Sequence, residues 1–118
     1  MEHLKRRQEF VAAARALSEA TPGMLVQARN RQDSAGPRLG FTCTKKLGNA
    51  VIRNRSKRRM REVARLILGG SAQNGFDYVL IGRMATATRK FADLQKDLAS
   101  ALKRLHATPN EVADKGKR

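Results

Sequence analysis

The sequence predicts a single α+β domain, on three observations. The chain has 118 residues, which falls in the one-domain range. Hydrophobic residues make up 41% and are spread along its length, as in a globular protein and unlike a disordered one. The apolar spacing then switches between the helical period and the alternation of strands, in the order helix, strand, strand, helix, strand, helix, with no internal repeat.

Each element has its own signal. Phe10, Ala13, Ala14 and Leu17 recur at helical spacing and predict a first helix over about Arg6 to Arg15, with Pro22-Gly23 ending anything before it. In "MLVQAR", Met24, Val26 and Ala28 alternate with Leu25, Gln27 and Arg29, a strand with one more polar face. Asn30 to Pro37 is turn chemistry throughout. Leu39, Phe41 and Cys43 then alternate with Gly40, Thr42 and Thr44, and two strands joined by a loop suggest an antiparallel pair. Gly48 and Asn49 allow a positive φ and so a sharp turn into the next helix, which sets Lys45 and Lys46 beside its start. That helix carries Ile52, Met60, Val63 and Ile67 on one side, with Ser56 as the polar residue among them. Asn54, Arg58, Arg61 and Arg65 fall opposite, and Arg55 and Lys57 on the flanks. Gly69-Gly70 predicts its end. Phe76 to Arg83 is a nearly continuous apolar run, a strand expected to be buried on both faces. Phe91, Leu94, Leu98, Leu102 and Leu105 mark a last helix over about Arg89 to His106. A folded domain over 1–107 is therefore expected, followed by a basic tail over 108–118 that lacks periodicity and is expected to be disordered.

The charge points to the partner. With 25 Lys+Arg against 10 Asp+Glu the formal net charge is +15, which repels itself in a compact state unless a polyanion neutralises it. From Lys45 to Arg65 there are nine cations and Glu62 alone against them, whereas an ordinary solvated face mixes signs. A helix of this kind can straddle a phosphate backbone, each contact releasing about one counterion. Arginine outnumbers lysine in the segment, which favours bidentate clamping of phosphates and stacking on exposed bases. Asn54, among these cations, suits a base edge or a 2′-hydroxyl, and equally suits an ordinary polar position in the first turn.

Other classes are disfavoured. No stretch approaches the roughly 18 apolar residues of a spanning helix, so no membrane partner is expected. The first ten residues lack the apolar core of a secretory signal, and the expected location is the cytoplasm. The single cysteine, Cys43, reads as a small buried hydrophobe. His3 and His106 stand apart from any Cys, His or carboxylate cluster at metal-ligand spacing. Asp93 and Asp97 read as a polar helix face partnered by Lys90 and Lys96. No catalytic side chain, no protein metal site and no small-molecule substrate are expected.

The stretch "KKLGNAVIRNRSKRRMRE", residues 45–62, closely resembles the arginine-rich signature of the protein component of bacterial ribonuclease P. The match holds the Lys-Lys pair, Gly48-Asn49-Ala50-Val51, Arg53-Asn54-Arg55, Lys57-Arg58 and Arg61-Glu62 in one register. The opening "LKRRQEF" and the order of elements up to about His106 agree as well. The resemblance implies an α-β-β-β-α-β-α sandwich like a ribosomal small-subunit protein domain. It adds a short strand near Ser18 to Thr21 and a left-handed crossover to the basic helix, against the usual right-handed preference.

The resemblance also implies a function. A catalytic RNA subunit, using Mg2+, hydrolyses the phosphodiester that joins the 5′ leader to mature tRNA in its precursor. The protein binds that RNA and the precursor tRNA, and raises metal and substrate affinity. Its RNA-binding residues would be Lys45, Lys46, Arg53, Asn54, Arg55, Lys57, Arg58, Arg61 and Arg65. Its leader cleft would lie between the first helix and the sheet, with Phe10 facing Gln27, Arg29, Thr42 and Thr44. Two positions depart from the pattern: Ala14 stands where a second aromatic is common, and Gln27 where the strand often has one. The alternative class is a structural RNA-binding protein of ribosomal type. A DNA-binding module with 48–65 as a groove-reading helix ranks third.

Overall fold

An apolar run that needs burial on both faces belongs at the centre of a sheet, and that is where residues 76–82 lie. The computed structural model describes residues 1–107, so the expectation for the tail over 108–118 lies outside the described residues. The elements run β1 (Glu2–His3), α1 (Arg7–Ala14), β2 (Leu17–Ala20), β3 (Met24–Asn30), β4 (Arg38–Thr42), α2 (Ala50–Ser71), β5 (Phe76–Gly82) and α3 (Phe91–Ala107). Short 3-10 turns occupy Lys45–Leu47 and Met84–Ala87. The sheet order is β1-β4-β5-β3-β2, with β5 antiparallel to β3 and parallel to β4.

Two cores flank this sheet. On one face Met24, Val26, Ala28, Leu39, Tyr78 and Leu80 pack against Met60, Val63, Ala64 and Leu68 of α2 and against Leu94, Leu98 and Leu102 of α3. On the other, Val79 packs with Leu4 and Ala13, flanked by Phe10 and Ile81, beneath α1. The alternation along β3 and β4 therefore separates the faces as the sequence suggests. At the end of α3, Tyr78 Oη accepts from the Gln73 N–H at 3.0 Å and shares a 2.7 Å hydrogen bond with His106 Nε2, and burial pushes the imidazole pKa down.

Four expectations are corrected. First, β3 and β4 are not paired, because β5 lies between them. The seven residues from 31 to 37 are enough to carry the chain over the end of β5, where Arg31 N–H donates to the Gly75 carbonyl and Gly75 N–H to that of Ala35, both at 2.7 Å. Second, the sheet has five strands and not four. The short strand near 18–21 is present as β2, but β1 precedes the first helix and pairs in parallel with the outer edge of β4. Two residues are too few for periodicity to register. Third, Leu17 belongs to β2 and not to the first helix. Fourth, α2 runs through Gly69-Gly70 to Ser71. Each helical glycine costs about 1 kcal/mol relative to alanine, but Leu68 is fully buried and Ile67 and Ala72 pack on the same core, which holds the last turn. A Cβ at Gly70 would meet nothing within 4 Å. Gly70→Ala should therefore stabilise the protein by about 0.5–1 kcal/mol, visible as a higher urea midpoint. A lower midpoint would show that the glycine conformation is needed.

Candidate nucleic-acid interface

The entry into α2 sets where its charges go. Gly48 has a φ of 135°, a region that side chains disfavour, and turns the chain out of the 3-10 turn. Asn49 caps the helix, its Oδ1 accepting from the Ile52 N–H at 3.0 Å. Lys45 and Lys46 thus stand exposed beside the helix start. Along α2, Ser56, Met60, Val63, Ala64 and Leu68 are buried, whereas Ile52, predicted for the apolar stripe, is 37% exposed near the N-terminal end.

The cations divide by what they touch. Arg53 Nη1 donates to the Gly48 carbonyl at 2.8 Å, clasping the helix start. Arg55 Nε donates to the Ala87 carbonyl at 2.8 Å and Arg59 Nη1 to the same oxygen at 3.0 Å, and Arg59 also binds the Arg89 carbonyl. Burial, followed by repulsion from Arg55 and Arg58, presses the Arg59 pKa down. Arg59 is therefore a strut between α2 and the segment leading into α3. Arg61 lies over the Phe41 ring, its guanidinium carbon 5.7 Å from the centroid. Arg65 pairs with Glu62. Among the described residues, the side chains of Lys45, Lys46, Asn54, Lys57 and Arg58 have no hydrogen-bond or ion-pair partner within the protein.

On the α1 face, Arg29, Asp77 and Arg38 form one row across the sheet. The Asp77 carboxylate is fully buried and accepts from Arg31 at 2.6 Å, from Arg38 at 2.8 and 3.0 Å, and from Arg29 at 3.4 Å. Burial pushes its pKa up, but the guanidiniums of Arg38 and Arg31 outweigh that and hold it below 3.8. Arg38 also reaches Glu9 of α1 at 2.9 Å. The helix is thereby tied across the sheet at its N-terminal end. Phe10, half-buried, lies against the backbone of Gly40, where a Cβ would come within 2.6 Å of the ring.

The comparisons decide the family. The Ribonuclease P family model matches residues 1–106. The chain belongs to the ribonuclease P protein family. Its relatives include the ribonuclease P protein component of Ruegeria pomeroyi, 53% identical over 107 residues, 88% of this chain and 86% of that one. Another, from Gluconacetobacter diazotrophicus, is 48% identical over 102 residues, 86% and 88% of the two chains. Among solved structures, the RNase P protein of Staphylococcus aureus superposes with a TM-score of 0.73 at 28% identity, covering 88% of this chain and 94% of that one. That of Thermotoga maritima gives 0.71 at 29%, covering 88% and 97%. As a ribonuclease P protein subunit, the chain binds RNA and takes part in tRNA processing as a component of an endoribonuclease.

Asn54, Lys57, Arg58, Arg61 and Arg65 share one flank of α2, with Lys45 and Lys46 at its start. Arg53 and Arg55 spend one donor each inside the protein. Of the cleft residues, Phe10, Arg29 and Thr42 lie on the α1 face. Thr44 is exposed beyond the end of β4. Gln27 is corrected: it was expected to be open to a strand, yet it is 7% exposed, because α1 packs over this part of β3. Asp97 was expected to pair with lysines but is held bidentately by Arg89 at 2.7 and 3.1 Å. Cys43 packs on the main core, and burial pushes its thiol pKa up, which disfavours the thiolate. The sequence reading did not separate Arg59 from its neighbours. Its position only 40° from the buried Val63 on the wheel, at the edge of the apolar stripe, was the signal.

Proposed function

We propose that this chain binds the catalytic RNA subunit of ribonuclease P through the outward flank of α2 and steers the 5′ leader of precursor tRNA along the α1 face of the sheet. The observation that carries the reading is the cationic flank of α2, where Lys57 and Arg58, with Lys45 and Lys46 before the helix, have no internal hydrogen-bond or ion-pair partner and stand next to Arg53 and Arg55, which the fold holds in place. Guanidinium groups stay protonated at any physiological pH and so serve as phosphate clamps and not as general bases. Phosphodiester hydrolysis is accordingly assigned to the RNA subunit, and with it the Mg2+ requirement. Among the described residues, the carboxylates of Glu9, Glu19, Asp33, Glu62, Asp77 and Asp97 are each paired with an arginine, and no three acidic, His or Cys side chains converge as a Mg2+ site would need. No helix among the described residues is long and apolar enough to cross a membrane. The proposed compartment is the cytoplasm, where precursor tRNA is available.

The test is reconstitution. Adding the chain to a bacterial catalytic RNA at low Mg2+ should accelerate precursor cleavage, and Arg58→Ala should weaken assembly by roughly 1–3 kcal/mol with unchanged circular dichroism. A ribosomal-type RNA-binding protein would give no acceleration, and unaltered assembly of Arg58→Ala would remove that flank from the interface.

The leader cleft makes a separate prediction. Phe10, half-buried over Gly40, shares the α1 face with Thr42, with the nearly buried Gln27 and with Arg29, whose contact to Asp77 is 3.4 Å long. Because Phe10 also packs on Leu4, Ala13 and Val79, the informative variant keeps the volume. Phe10→Leu should weaken binding of a precursor with a leader of several nucleotides by about 1–2 kcal/mol, a typical loss of aromatic stacking, and leave mature tRNA binding and thermal stability nearly unchanged. Equal effects on both tRNA forms would place Phe10 in the core alone.

A further inference from the structure

A second aromatic surface lies on the opposite side of the sheet from α1. Between the β1-β4 edge and the C-terminal half of α2 there is a groove of about 540 Å³, a volume in the range of small-ligand sites. Leu39 and Phe41 of β4 form its floor. His3 stands beside Phe41, the two ring centroids 6.2 Å apart and tilted by 45°. Arg61 and Arg65 form the helical rim, Arg65 also pairing with Glu62, and no acidic residue lines the groove itself. The far end is open at Gly69, where a Cβ would meet nothing within 4 Å.

We propose that this groove receives one unpaired nucleotide of the RNA bound along α2, its base on Phe41 and His3 and its phosphate on Arg61 and Arg65. The inference rests on the proposed use of α2 as the RNA-binding helix. Charge complementarity selects the occupant. An aromatic and apolar floor favours a flat π face of any base identity, and two guanidiniums at the rim favour an anion next to that face. A nucleotide offers both within one unit. Arg61 already lies over the Phe41 ring, so a base entering beside it would extend an existing stack. The rim is also continuous with Lys57 and Arg58, so a strand following the helix reaches the groove without leaving the cationic flank. This site is distinct from the leader cleft: Leu39 and Phe41 face α2, whereas Gly40 and Thr42 face α1.

The experiment uses the complex of the full chain with a bacterial catalytic RNA. Ultraviolet cross-linking with mass spectrometry should join one nucleotide to Phe41 or to the peptide containing His3. Removing the base of that nucleotide should weaken binding of the native chain roughly five- to tenfold, a modest share of a stacking interaction. The same abasic RNA should bind Phe41→Leu no worse than intact RNA does. His3→Ala, at an exposed position, should reproduce part of the loss even if Phe41→Leu proves unstable. No cross-link in the groove, together with native-like affinity of both variants, would overturn the proposal while a weakened Arg58→Ala complex left RNA binding by α2 intact. A change in self-association of Phe41→Leu, with RNA affinity unaltered, would overturn it too, by assigning the groove to a second copy of the chain. Failure of the native chain to bind the RNA at all would overturn the reading of α2 and the groove proposal with it.

Discussion

Asp77→Asn should cost about 3–5 kcal/mol of folding free energy, the usual penalty for removing one partner from a buried ion pair. The carboxylate is the common acceptor of three arginines, and Arg31 itself has only 8% of its side chain exposed. An amide keeps the shape and loses the charge, which leaves these guanidiniums facing one another in a chain already at +15. Because typical domains are stable by only about 5–15 kcal/mol, the variant should unfold at a much lower urea concentration and release the tie between Arg38 and Glu9 of α1. The pH dependence has a definite sign. The folded pKa of Asp77 lies below its ordinary 3.8, so its contribution is whole above that value and is lost as pH falls through the lowered folded pKa. The native chain should therefore lose more stability on acidification than Asp77→Asn, which keeps only the smaller contributions of groups such as Glu9, Asp33 and Glu62. A variant with a native urea midpoint would mean that the arginine network contributes nothing net.

Binding of the catalytic RNA should fall steeply with salt. If about six phosphates are engaged, the slope of log affinity against log salt should be near −4 to −6, so a fourfold rise in salt should weaken the complex roughly 250- to 4,000-fold. The arginines of α2 should separate in this measurement. Arg58→Ala should flatten the slope by about one, whereas Arg59→Ala should leave it unchanged and lower stability instead, because its Nη1 and Nη2 are committed to the Ala87 and Arg89 carbonyls. A slope near zero, or equal flattening by both variants, would contradict the division between outward clamps and internal strut.

What the sequence by itself determined is what depends on neighbours along the chain. The alternation of Met24, Val26 and Ala28, and of Leu39 and Phe41, assigned their faces correctly. The 3.6 period of α2 sorted Met60 and Val63 from Arg58 and Arg65, and the register of residues 45–62 already carried the resemblance to the ribonuclease P protein. These features need only backbone geometry and the cost of burying charge. The tertiary structure decided whatever depends on distant partners. Hydrophobic burial put β5 between β3 and β4, and free backbone groups on the edge of β4 recruited Glu2 and His3 as a strand. Burial of Leu68 carried α2 past two glycines. The same long-range contacts set the roles of like residues: Arg59 found carbonyls 28 and 30 residues away, Arg38 found Asp77 and Glu9, and Gln27 disappeared beneath α1. A guanidinium's local sequence shows its charge. Whether that charge is spent inside the protein or left for RNA is settled only when the fold brings, or fails to bring, an acceptor within hydrogen-bond reach.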